Sequence, residues 1–212
     1  MDETVPLYGL TRLDLVAATI GYLAGSIPFG LVLTRLAGLG DIRSIGSGNI
    51  GATNVLRTGN KPLAAATLLL DSGKGAFVAL LAGHLWGPQA MLLAGLFAVV
   101  GHNFPIWLRF QGGKGVATTL GVLLVFSWQA GLMACATWLV VALIFRYSSL
   151  AALVALAAAP FYMAWWVGAS PAVIAGLLTV LAFVRHHENI RRLLAGTESR
   201  IGAKKKAESP DA

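Results

Sequence analysis

Long apolar runs alternate along this chain with short islands rich in glycine and polar side chains. The runs cover about 13–36, 63–84, 91–108, 116–145 and 150–184. Apolar stretches of this length predict helices that cross a membrane. The fourth run, about thirty residues, would reach roughly 45 Å as one helix, against a hydrocarbon core of about 30 Å. The fifth is interrupted by Val167-Gly168-Ala169-Ser170-Pro171. The islands are 46–57, then 101–105 continuing through 111–115, and last 186–189 leading into 196–198. A protein that only had to sit in lipid would have no use for so much flexible, donor-rich backbone. The islands are therefore where function is expected.

Composition narrows the class. Hydrophobic residues make up 57% of the chain and charged residues 12%, where soluble domains carry about 25% charged residues. With a mean hydropathy of +0.73, this reads as an all-α, polytopic integral membrane protein. The 212 residues leave little for a soluble domain. The expected organisation is a single transmembrane domain over 1–198 and a basic, disordered tail over 199–212, with Lys204, Lys205 and Lys206 drawn to anionic lipid. The start, Met1-Asp2-Glu3, is acidic where a signal peptide is basic, so the first span is expected to be retained. The single cysteine, Cys135, lies inside an apolar run, which excludes a disulfide framework and a cysteine-rich metal site. A net charge of +7 suggests nucleic acid only until the charges are placed.

They lie at the ends of the runs. Arg35, Arg43, Arg57 and Lys61 flank the first connection, Arg109 and Lys114 the third, and Arg146 follows the long run. Arg185, Arg191, Arg192, Arg200 and Lys204 to Lys206 follow the last. The opposite connections, near 84–88, 127–129 and 168–171, hold no Lys or Arg. Basic residues mark the cytoplasmic side. Lys114 and Arg146 share that side only if the thirty-residue run turns near Ser127-Trp128-Gln129 into two short helices. The expected fold then has about seven transmembrane helices, N-terminus outside and C-terminus cytoplasmic. Trp86, Trp128, Trp165 and Trp166 fall near the outer ends, as an aromatic belt does. All three islands gather on the cytoplasmic face.

The islands suit phosphate. Gly46, Gly48 and Gly51 permit close backbone approach, so several N–H groups can face one concavity. Ser47, Asn49, Thr53 and Asn54 add side-chain donors and Arg57 a planar fork. The spacing matches a dinucleotide fingerprint but follows a span rather than a strand, so that reading fails. Gly112-Gly113-Lys114-Gly115 is not a Walker site, because Leu108 and Gly115 stand where glycine and Ser/Thr are required. What remains is a helix start with N–H groups, a positive dipole end and an ammonium. A tight interfacial turn and a snorkelling lysine are the plainer readings of these two loops. His186 and Asn189, three apart, would share a helix face, with His186 as general base, as a donor to an anion, or as a structural histidine. His187 would point elsewhere, Glu198 would cap or brace Arg57, and His102 joins the phosphate-binding candidates.

Asp71 and Lys74, also three apart, lie inside the second run, where ionisable groups must pair or line a polar cavity. They are read as a mutual pair or as the floor of the site. A small transporter using Asp71, Lys74 and His102 is the alternative from another class. It needs access from both sides, and the outer face is nearly bare of polar motifs; internal repeats are not evident either. A magnesium-dependent head-group enzyme would want clustered Asp residues, which Asp41 and Asp71 do not form.

Taken together, several segments resemble the bacterial acyl-phosphate:glycerol-3-phosphate acyltransferases, the PlsY family. They are Gly25-Ser26-Ile27-Pro28, the island from Gly46 to Asn54, Gly101-His102-Asn103-Phe104-Pro105, the stretch from Gly112 to Thr118, the stretch from Arg146 to Leu150, and the tail from His186 to Glu198. They keep the family's order and spacing along nearly the whole chain. Gln111, where the family often has a basic residue, and His187, where arginine is common, depart from it. The resemblance implies a seven-helix fold in the bacterial inner membrane with its active site on the cytoplasmic side. It implies transfer of a fatty acyl group from acyl phosphate to the 1-hydroxyl of sn-glycerol 3-phosphate, the first step of bacterial phospholipid synthesis. Lysophosphatidate and inorganic phosphate would be the products. By the family pattern Ser47, Arg57, Lys114, His186 and Asn189 form the catalytic set, with the 112–115 loop alongside. The donor is a mixed anhydride, already activated, so no cofactor, metal or nucleotide is expected. No nucleic acid and no obligate protein partner are expected either, only the two substrates and the bilayer. The expected chemistry is direct transfer, with the donor's phosphate or His186 taking the proton; Ser47 as a covalent nucleophile is the runner-up.

Overall fold

The computed structural model describes residues 9–202. The acidic start and the lysines of the tail lie outside the described residues. Within them every regular element is helical. Helix α1 (Arg12–Gly25) opens on a reciprocal cap, in which Thr11 accepts from the Asp14 N–H while the Asp14 carboxylate accepts from the Thr11 N–H. Ser26-Ile27-Pro28 then breaks the first apolar run, since Pro28 has no N–H to continue the ladder, and α2 (Phe29–Leu36) follows. The first island forms the one-turn helix α3 (Ala52–Val55). Helix α4 (Lys61–Trp86) is capped by Asn60, whose side chain accepts from Leu63 N–H, with Pro62 in its first turn.

Four more helices build the bundle, α5 (Pro88–Asn103), α6 (Val116–Phe126), α7 (Trp128–Phe145) and α8 (Ser148–Trp166). The thirty-residue run breaks where the charge pattern requires. Ser127 is extended, at φ −159°, and its hydroxyl accepts from Ala130 N–H to start α7. The two helices, of 11 and 18 residues, follow from a turn at that position. Helix α9 (Ala169–Arg185) ends in a 63° bend at His186 that turns the chain into α10 (His187–Leu194).

Five helical segments are long and apolar enough to cross a membrane, and six if α9 and α10 count as one bent span. Helix α6 is a further apolar helix, but 11 residues reach only about 16 Å as a straight helix, short of a core of about 30 Å. Large apolar side chains face outward, among them Phe161 at 75% and Trp165 at 83% exposure. Lipid, as apolar as they are, leaves no reason to hide them. What holds the helices is therefore close packing rather than hydrophobic burial. A Cβ on Gly21 would lie 2.3 Å from the Ala94 carbonyl oxygen, and one on Gly25 2.0 Å from that of Ala98. Small residues four apart on α1 and α5 thus bring the two backbones together. Inside, Val99, Leu123, Leu156, Met163 and Leu178 form a core shared by α5, α6, α8 and α9.

The connections sort by end. The islands, the starts of α4, α6 and α8, and the ends of α5, α7 and α9 share one end of the bundle. The tryptophans Trp86, Trp128, Trp165 and Trp166 sit at helix termini of the other. The fold does not stop at Glu198. Ile201 N–H donates to Arg146 C=O at 2.7 Å and Arg146 Nη2 donates to Ile201 C=O at 3.1 Å, so hydrogen bonding to the bundle runs on to Ile201.

Candidate functional site

The first island is shaped by Asn54. Its amide nitrogen donates to the carbonyls of Ile42, Ile45 and Asn49, and its Oδ1 accepts from Ser47 N–H at 3.1 Å. Gly46 and Gly48 take left-handed φ values of 57° and 68° to wrap around it, and a Cβ on Gly46 would meet Asn54 Oδ1 at 2.3 Å. With 1% exposure and its donors engaged, Asn54 braces the loop rather than offering a donor to a ligand. Arg57 leans on Asn54 Oδ1 at 3.4 Å and on Ser199 Oγ at 2.6 Å. The Thr53 and Ser148 hydroxyls lie 3.2 Å apart, tying α3 to α8. Asn49 Oδ1 is buried and unpartnered.

The second island starts where α5 ends. Gly112 N–H donates to Asn103 C=O and Gly113 N–H to His102 C=O. This corrects the expected phosphate cradle: those two N–H groups are engaged by backbone, while the N–H groups of Lys114 and Gly115 have no partner among the described residues. Gly115, at φ 75°, opens α6. Arg185 reaches across from α9, donating from Nε to Gly113 C=O at 3.1 Å and from Nη2 to Gly112 C=O at 2.9 Å. His102 is 4% exposed and lies under the loop, so close that a Cβ on Gly113 would be 2.1 Å from its Nε2. Its Nδ1 is 2.9 Å from Lys74 Nζ, which also reaches Asp71 Oδ1 at 2.8 Å and Ile27 C=O at 2.7 Å. Asp71 and Lys74 are thus a mutual pair, and His102, beside Lys74, is buried under the glycine loop.

The third island hangs on Glu198. Its Oε1 accepts from Ser149 Oγ at 2.7 Å and Asn189 Nδ2 at 2.6 Å, and its Oε2 from Arg192 Nε at 2.7 Å. Burial alone raises this carboxyl, but the three hydrogen bonds outweigh it and hold the group below its ordinary 4.5. Glu198 therefore supports Asn189 and does not brace Arg57; its neighbour Ser199 does. The turned amide of Asn189 presents Oδ1 to the Lys114 ammonium. Burial, then the charge of Arg192, lowers Lys114 below the ordinary lysine value, against the pull of Glu198 and Glu188. His186 sits at the α9–α10 bend, 3% exposed, its Nδ1 2.7 Å from Ala182 C=O. A carbonyl only accepts, so Nδ1 carries the hydrogen and Nε2 is the acceptor of the neutral ring.

The three islands meet at a polar cleft of about 210 Å³. Ser47, Gly48 and Asn49 line it from the first, Gly112 and Lys114 from the second, and Arg185, His187 and Glu188 from the third. Arg57, His186 and Asn189 are not in its wall, and Thr53 turns to α8. Arg185, His187 and Glu188 are additions. His187, expected to point away, lines the cleft because the bend at 186 starts a new helix with its own phase. Arg185 was visible in the sequence only as an anchoring charge, although it directly precedes the His186 island. Among the described residues no three His, Cys, Asp or Glu side chains come together as a metal site.

A family model described as glycerol-3-phosphate acyltransferase matches residues 15–196. A glycerol-3-phosphate acyltransferase of Rhodospirillum rubrum is 66% identical over 200 residues, which cover 91% of this chain and 93% of that protein. One of Paramagnetospirillum magneticum is 63% identical, covering 93% and 98%. The crystal structure of PlsY (YgiH), an integral membrane glycerol 3-phosphate acyltransferase in its glycerol 3-phosphate form, superposes with a TM-score of 0.85 at 39% identity, covering 89% of this chain and 96% of that one. The lysophosphatidic acid form gives 0.82 at 38% identity, covering 89% and 95%.

Proposed function

This chain belongs to the glycerol-3-phosphate acyltransferase family, and on that premise we propose that it moves a fatty acyl group from acyl phosphate to the 1-hydroxyl of sn-glycerol 3-phosphate. The observation that carries the reading is the cleft, where a serine, a lysine and an arginine from three separated islands surround one opening. The site residues are Ser47 and Lys114 in the wall, with Arg57, His186 and Asn189 outside it. Two phosphate-bearing substrates repel one another, and the cations around the cleft offset that repulsion and orient the attack. The glycerol oxygen attacks the acyl carbon as the bond from that carbon to the bridging phosphate oxygen breaks. Phosphate leaves with the electron pair, and the hydroxyl proton ends on it directly or by way of His186 Nε2. Among the described residues the Ser47 side chain makes no hydrogen bond to a histidine that would activate it, which supports direct transfer in a ternary complex. The site faces the cytoplasm across the bacterial inner membrane.

Purified protein given palmitoyl phosphate and glycerol 3-phosphate is expected to release inorganic phosphate and form lysophosphatidate. Folded protein without turnover would sink the reading. Equal rates with palmitoyl thioesters would overturn the donor assignment, and an acyl adduct on Ser47 trapped during turnover would overturn direct transfer.

A further inference from the structure

Arg185 stands out because, among the described residues, its hydrogen bonds go to backbone. Its Nε and Nη2 donate to the carbonyls of Gly113 and Gly112, at 3.1 and 2.9 Å, and its guanidinium lies over the Phe104 ring, 5.2 Å from the centroid. The backbone that carries the ring is tied in turn, since Tyr22 Oη donates to Phe104 C=O at 2.8 Å. A planar fork matched to two successive carbonyls and stacked on an aromatic face has one geometry, which a flexible ammonium does not reproduce.

What the clamp controls follows from the trans peptide, in which a carbonyl and the next N–H point in opposite directions. The peptide joining 112 to 113 is held at both ends, its C=O by Arg185 and its N–H by His102 C=O. The peptide joining 113 to 114 is held only at its C=O, by Arg185, because the Lys114 N–H has no partner among the described residues. Gly113 has no Cβ to resist rotation of that peptide. Without the clamp the unit can turn over and swing Lys114, which lines the cleft, with it.

We propose that Arg185 is a positioning residue for acyl transfer: by holding two glycine carbonyls it fixes the peptide that leads into Lys114, and so sets the ammonium against the phosphates. This rests on the acyltransferase reading. The test compares wild type with R185A and R185K, each checked in detergent for a monodisperse, thermally intact fold. R185A is expected to lose about 10²-fold in kcat, the cost of a small misplacement of a catalytic group, with KM for glycerol 3-phosphate changed less than about threefold. R185K, which keeps the charge but not the fork, is expected to fall with it. Ethylguanidinium added to R185A is expected to restore part of kcat. Hydrogen exchange over 111–118 is expected to quicken in R185A, a readout that stands even if the assay reactants are wrong. A fully active R185K, a loss carried by KM alone, or unchanged exchange in the loop would each overturn the proposal. Wild type without turnover but with quickened exchange in R185A would count against the reaction and not against the clamp.

Discussion

At the level of single residues, the site depends on which polar groups are left free. Lys114 is the sharpest case. It is half-buried, close to Arg192, and so loses its proton more readily than an exposed lysine. The sign follows: lowering the pKa of a cation means its charge disappears at a lower pH. The kcat/KM, which reports the free enzyme, should therefore decline as pH rises through a value below 10.5. K114R, whose guanidinium stays charged, should move that alkaline limb upward, while K114A should lose at least about 10²-fold in kcat. A pH–rate profile from neutral to strongly alkaline pH checks this, and an unmoved limb in K114R would rule Lys114 out as its source. Other residues show why residue type alone misleads. Asn54 and Asn189 look alike in the sequence, yet one amide is wrapped by its own loop while the other links Lys114 to Glu198. His102 and His186 both read as site histidines, and only the packing of Gly113 onto His102 places it beneath the glycine loop.

At the level of elements, the segment from Thr197 to Gly202 works as a strap. Glu198 ties Ser149 of α8 to Asn189 and Arg192 of α10, Ser199 holds Arg57, and Ile201 pairs with Arg146 at the left-handed turn between α7 and α8. With its side chain only 6% exposed, Glu198 accepts hydrogen bonds that, being made to a charged group, contribute roughly 2 kcal/mol each. Its carboxyl pKa is depressed in the fold, so its stabilisation is fully present above the ordinary 4.5 and is lost as pH falls through the lowered value. E198Q should therefore unfold at a lower temperature than wild type near neutral pH, and the gap should narrow on acidification. Thermal scans in detergent across acidic pH check it; a constant gap would mean the charge contributes nothing. The sequence placed Glu198 as support but tied it to Arg57, because spacing shows neither the bend at His186 nor the path of the strap. The break at Ser127 was legible, since charge parity demanded a turn and Ser is a good cap.

At the level of the whole molecule, the sorting of charge decides what the two ends are for. Counting Lys and Arg gathered the islands on one side, and the fold brings them to one end, with the Asp71–Lys74 pair and His102 buried beneath the second island. That much was legible because membrane insertion reads the same charges. The cleft wall was less so, because Arg185 was absorbed into the charge count and the tightness of the second island arises from contacts across 72 residues, from Arg185 to Gly113. The same sorting makes a prediction about sidedness. In a Cys135→Ala background, a cysteine at exposed Gln111 marks the island end and one at exposed Ala169 the opposite end. In intact cells a membrane-impermeant maleimide should label Ala169→Cys and leave Gln111→Cys unlabelled until the membrane is opened. The labelling follows from the basic loops staying where the protein is made, and it keeps the cleft on the side that supplies glycerol 3-phosphate. The reverse pattern would leave the fold intact but put the cleft on the outer face, where neither acyl phosphate nor glycerol 3-phosphate from the cell could reach it, and the proposed reaction would have to be abandoned.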